Sequence, residues 1–91
     1  MGPLAKMQHN LNPVMRDACF IAMAPDVFKE YSAIVDEFYK TSSIERRPGD
    51  IMFNGLKCWE DELIPPGRYE ILGSRCDELR SCRWEVEDGS E

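Results

Sequence analysis

The chain has 91 residues, with seventeen acidic side chains against eleven basic ones, a formal net charge of −6 and a pI near 4.7. At that length one domain with a thin core is expected, burying roughly 60–65% of its unfolded surface, which excludes a two-domain enzyme, a large barrel or a doubly wound nucleotide-binding sheet. Apolar residues make up 43% of the chain and aromatic ones 10%, so it is a folding chain and not a disordered acidic tail.

Residues 1–11 show no periodicity and read as a flexible N-terminal tail, leaving 12–91 as a single α+β domain. Asn12-Pro13 is a helix-start signal, because Asn caps and Pro at the first helical position has no N–H to leave unpaired. Val14, Met15, Ala18, Cys19 and Ala22 then follow helical spacing, predicting a short helix over about 13–23 that ends at Ala24-Pro25. A second helix begins at Pro25, with Val27, Phe28, Tyr31, Ile34, Val35 and Phe38 forming one apolar stripe. Asp26 suits its positive end, and Asp36 with Lys40 is a favourable i,i+4 pair. Thr41-Ser42-Ser43 stops it, and Ser42 with Glu45 fits a capping box for one further turn before Arg46-Arg47-Pro48-Gly49.

From Pro48 onward the period becomes two. Asn54-Gly55 is the strongest short-range hairpin signal, because a type I′ turn needs positive φ at both central residues. A two-residue turn puts Phe53 opposite Leu56, Met52 opposite Lys57 and Ile51 opposite Cys58. Ile51, Phe53, Leu56 and Cys58 then share one face, and Met52, Lys57 and Trp59 the other. After the Ile64-Pro65-Pro66-Gly67 turn, residues 68–74 read as a strand with Tyr69 and Ile71 on one face. Residues 76–81 turn the chain, and Cys82, Trp84 and Val86 alternate with Arg83, Glu85 and Glu87 as a half-buried strand before a solvated end at 88–91. The expected fold is α+β, with two N-terminal helices packed on one face of a small antiparallel sheet of about four strands in two hairpins. One face covered leaves one face wet.

No stretch of ~18 apolar residues exists, so no membrane span is expected. The seven-residue run Ala18–Ala24 is short for a signal-peptide core and has Asp17 at its edge and Pro25 after it. Four cysteines without CxxC spacing do not make a disulfide scaffold, so reduced thiols and a cytoplasmic location are expected. Charge is uneven. Residues 1–40 carry four basic and five acidic groups, net −1, and residues 41–91 carry seven and twelve, net −5. The second half repels phosphate backbones and attracts basic surfaces.

Phosphate-cradling, dinucleotide, zinc-protease, nucleophile-elbow and EF-hand motifs are all absent. The single histidine, His9, falls in the predicted tail, away from any nucleophile it could activate. Cys19 and Cys58 read as small buried hydrophobes, and Cys76 and Cys82 bracket the second turn at a spacing that leaves a bridge open. No metal site, cofactor or catalytic residue is assigned. Glu60-Asp61-Glu62 reads as a solvated acidic run that could contact a basic partner. Arg75, Arg80 and Arg83 could form a small phosphate-binding patch, but Asp77, Glu78 and Glu85 are interleaved with them. Trp84 is assigned to the core. Trp59 and Met52 share the face away from the obvious core, where exposed Trp and Met mark contact surfaces.

The pattern predicts a small acidic non-enzymatic protein-interaction module, an inhibitor or adaptor, docking on a basic surface of a larger partner protein, such as a surface that binds nucleic acid. Met52, Trp59, Glu60, Asp61 and Glu62 are its expected contact residues. A nucleic-acid mimic is one version of it. The alternatives are a nucleic-acid-binding module using Arg75, Arg80 and Arg83 with aromatic stacking, and an accessory enzyme subunit. A homodimer is compatible with either class.

Overall fold

The computed structural model describes residues 2–42 and 51–85, with 39–42 followed as backbone only. Helix α1 covers Pro3–Leu11 and leads through a 3₁₀ turn, Asn12–Val14, to strand β1, Phe20–Met23. Helix α2 (Pro25–Ser42) follows, then β2 (Met52–Phe53), β3 (Leu56–Glu60), β4 (Arg68–Leu72) and β5 (Glu78–Arg83). The five strands form one sheet in the order β2-β3-β1-β4-β5. Strand β1 runs parallel to β3 and antiparallel to β4. The α+β class stands, but the sheet is mixed and has five strands, and its helices are separated by the first strand.

The N-terminal quarter departs most from the sequence reading. Residues 1–11 were expected to be a tail, yet 3–11 are helical, with Pro3 in the first turn and Met7 and Leu11 buried. Leu4, Met7 and Leu11 stand at offsets of three and four, so the stripe was present but short. Asn12-Pro13 does not start a helix over 13–23; Asn12 ends α1, and residues 20–23 are the central strand of the sheet. In this central strand Ile21 and Met23 face the helices and Ala22 is buried among its neighbours on the other face, so the segment reads as an unbroken apolar run, which helical spacing also matches over so few residues. Pro25 opens α2 directly, its missing N–H costing nothing there.

The later elements follow the predicted pattern more closely. The Asn54-Gly55 turn has φ of 51° and 80°, and the register pairs Met52 with Lys57 and Phe53 with Leu56. Strand β4 carries buried Tyr69 and Ile71 on one face. Strand β5 starts at Glu78, earlier than expected, and a bulge at Leu79, between Glu78 and Arg80, resets its pairing with β4. The two hairpins are not simply adjacent: β1 enters between β3 and β4. Of the α2 stripe, Val27 and Tyr31 are buried and Phe28, Ile34 and Val35 half-buried, while Phe38 is exposed. The Ser42–Glu45 capping box, the Lys40 side chain, the 46–49 turn, Val86 and the 88–91 end lie outside the described residues.

Both helices pack on the same face of the sheet. Tyr69 on β4 accepts a 3.0 Å hydrogen bond from the Asn10 side chain of α1. Trp84, just beyond β5, stands edge-on to Tyr69 and to Tyr31 of α2. Met7, Leu11, Ile21, Met23, Val27, Tyr31, Cys58, Tyr69, Ile71 and Trp84 belong to one core. The Arg80 guanidinium donates to the Asn10 carbonyl at 3.1 Å, tying β5 to α1.

One turn residue is strained. Cys76 is exposed and has φ of 59°, a left-handed conformation costly for any residue with a Cβ. Cys76→Gly is expected to raise stability by about 0.5–1 kcal/mol. Urea unfolding of the two proteins side by side checks this, and a destabilised glycine variant would show that the thiol contributes packing.

Candidate functional site

Alternation along the strands divides the sheet's side chains between two faces, and the pairing register aligns them in rows. Ile21, Cys58, Ile71 and Arg80 form one row on the helix-covered face. On the opposite face the middle row holds Trp59, Ala22, Glu70 and Ser81. One step toward the Asn54-Gly55 end lie Met52, Lys57, Phe20, Leu72 and Glu78. One step the other way lie Arg68 and Arg83, with Asp61, whose N–H donates to the Met23 carbonyl at 2.7 Å and so extends the β1–β3 ladder.

The centre of this open face is aromatic. The Trp59 and Phe20 rings lie 5.1 Å apart and tilted by 43°, both half-buried, beside a fully buried Ala22. Met52 is 52% exposed. Thus Trp59 is neither sunk in the core nor free in water: it packs on its own face against a residue that the sequence reading had placed in a helix. The signal for Phe20 was its alternation with Ile21, which becomes visible only once residues 20–23 are recognised as a strand.

The predicted contact residues are not brought to one patch. Met52 and Trp59 share the open face. Glu60 pairs in register with Met23 on the helix side but is exposed at the strand end. The Asp61 carboxylate accepts the Leu63 N–H at 2.9 Å, and its carbonyl accepts the Ile64 N–H at 3.2 Å. This local turn holds Ile64 buried and leaves Leu63 91% exposed next to exposed Glu62. Glu60, Glu62 and Leu63 therefore form a rim at one end of the sheet. Neither do the three arginines converge. Arg75 is exposed in the last turn, Arg80 faces α1, and Arg83 is on the open face opposite Arg68.

The open face is electrically balanced, unlike the chain. Lys57, Arg68 and Arg83 stand against Asp61, Glu70 and Glu78, and no ion pair within 4.0 Å joins any of the six. The Glu70 carboxyl is pushed above its ordinary range by burial and by the neighbouring Glu78 and Asp61, with Arg68 pulling the other way.

The thiols offer little chemistry. All four cysteines are free: Cys76 is exposed in its turn, Cys82 is buried under the helices, and Cys19 is half-buried. Burial pushes Cys58 up to about 12 and also raises Cys82, so neither supplies a thiolate near neutral pH. Tyr69 is likewise pushed up to about 12, chiefly by burial. Among the described residues no group of three His, Cys, Asp or Glu side chains is placed to hold a metal ion. No described helix is long and apolar enough to cross a membrane. No family model, no curated protein and no solved structure matches this chain.

Proposed function

We propose that this chain is a small, acidic, non-enzymatic protein-interaction module, an inhibitor or adaptor, whose contact surface is the open face of its sheet. The observation that carries this reading is the half-buried Phe20–Trp59 pair beside exposed Met52, on the face away from both helices. Aromatic residues and methionine concentrate where proteins desolvate one another. The rim of Glu60, Glu62 and Leu63 supports a basic neighbour at the sheet's end, since an acidic chain steers toward positive surfaces. A cytoplasmic location belongs to this proposal, and so does a larger basic partner, met at that rim. A nucleic-acid-binding module is the weaker reading, because Arg80 and Arg83 lie on opposite faces of the sheet and Arg75 in the turn before them.

The test is Trp59→Ala. The variant loses half-buried area and a ring contact, so a fold cost of about 1–2 kcal/mol is expected, below that of a core tryptophan. Affinity capture from the native host, with wild type and variant in parallel, is expected to show a retained protein that the variant releases. Loss of about 2 kcal/mol or more of binding marks a hot spot. Retention of single-stranded oligonucleotide at low salt, with no protein lost on substitution, would put the nucleic-acid reading first.

A further inference from the structure

The charges of the open face are sorted in a way that works against the isolated chain. Arg68 lies directly opposite Arg83 in the β4–β5 register, and like charges opposite one another destabilise a strand pair. On the other side of the middle row the sign along β5 reverses, because Glu78 stands opposite Leu72 there and acts on Glu70 of the middle row as a like charge. Along β3 and the residue that follows it the order is inverse, Lys57 at the end where β5 has Glu78, and Asp61, just past the strand, at the end where β5 has Arg83. The face is thus a checkerboard: positive and negative corners alternate around an aromatic centre.

We propose that the occupant of the open face is a second copy of this chain, docked face to face about a two-fold axis running across the strands through the Trp59–Ala22–Glu70–Ser81 row. Such an axis exchanges the two ends of each strand. It sets Lys57 over Asp61 of the second copy and Arg83 over its Glu78, each contact made twice, as an isologous interface requires. Trp59 meets Trp59 near the axis, which desolvates the aromatic pair of each copy. Of the like-signed neighbours within one chain, Arg83 and Glu78 gain opposite charges across the interface, while Arg68 falls over Leu72 of the second copy. Glu70 is the exception, since it lies on the axis and meets its own copy.

The area limits the strength. Five strands about 4.8 Å apart and two to six residues long, at about 3.3 Å per residue, cover roughly 350 Å² per copy, under half of a standard interface. Association is therefore expected to be weak and reversible. The rim of Glu60, Glu62 and Leu63 stays outside the paired faces, at both ends of the dimer.

This inference rests on the open face being a docking surface, and sedimentation equilibrium of the full chain from about 10 µM to 1 mM separates the two claims. Wild type is expected to dimerise reversibly. Glu78→Arg and Arg83→Glu each leave like charges facing and are expected to weaken the dimer at least tenfold, while the double reversal restores it. In the monomer either reversal removes a like-charge neighbour, so thermal melts are expected to be unchanged or higher. Glu70→Gln removes the carboxylates meeting on the axis and is expected to tighten association. A chain monomeric at every concentration overturns the second copy as occupant but leaves the docking face standing if Trp59→Ala still releases a captured protein. A dimer insensitive to the single reversals overturns the proposed pairing. One that also survives Trp59→Ala overturns the docking face itself.

Discussion

Trp84→Ala is expected to cost about 3–5 kcal/mol of folding stability, the largest effect of any single truncation considered. The indole is 8% exposed and stands edge-on to two tyrosines, with ring centroids 6.4 Å from Tyr31 and 6.5 Å from Tyr69. Its Nε1–H donates to the Glu30 carboxylate at 2.6 Å, and its backbone N–H donates to the Gly67 carbonyl at 2.7 Å. The ring therefore joins α2, the β3–β4 loop and the end of β5 at one point. Truncation removes the ring and leaves a cavity bounded by three elements that cannot all close in. Small domains have only about 5–15 kcal/mol in total, so most of the native population is at stake. Urea unfolding followed by far-UV circular dichroism checks the magnitude, and Trp84→Phe isolates the polar share. The phenylalanine keeps the edge-on packing and loses the charged hydrogen bond, with an expected cost of about 1.5–3 kcal/mol. An alanine variant with near wild-type stability would mean that the β5 end is not docked on α2.

Leu11→Ala is expected to cost about 2–5 kcal/mol, which a loosely docked tail would not show. Leu11 is fully buried and Met7 is 1% exposed, so α1 contributes two of the core's large side chains. Polar contacts hold the same helix in place: Asn10 to the Tyr69 hydroxyl, Arg80 to the Asn10 carbonyl, and Lys6 with Glu85 at 3.3 Å. The exposed ion pair adds little, whereas the buried leucine carries the cost. A nine-residue helix is too short to persist alone in water, so its order must come from this packing. Hydrogen exchange offers a second readout. Amides of residues 7–11 are expected to exchange with the global unfolding free energy in the wild type and to lose that protection in the variant. Fast exchange there in the wild type would return this segment to the status of a tail.

How legible a segment was depended on whether its neighbours in sequence were also its neighbours in space. The Asn54-Gly55 hairpin was readable to the residue, because turn chemistry alone sets its register and so assigns Met52, Lys57 and Trp59 to one face. The α2 stripe was readable for the same local reason, and Trp84 followed from period-two alternation. Residues 18–24 were not. Their apolar run is compatible with a helix or with a fully packed strand, and only pairing with β3 and β4, some 37 and 52 residues away for Phe20 in the observed register, selects the strand. That one misreading hid Phe20 and with it half of the aromatic pair. That Arg80 and Arg83 fall on opposite faces was hidden for a different reason: residues 76–81 read as a turn, whereas β5 starts at Glu78 and takes its register from β4.

By itself the sequence determined the acidic charge, the α2 helix, the Asn54-Gly55 turn and the separation of Met52 and Trp59 from the core-facing side chains, all consequences of period and local backbone preference. The tertiary structure alone decided that β1 enters the middle of a mixed sheet, that α1 belongs to the core, and that six charges gather in balance around Phe20 and Trp59. Strand order and cross-strand rows are set by burial between distant segments, and no local spacing encodes which strand will lie beside which.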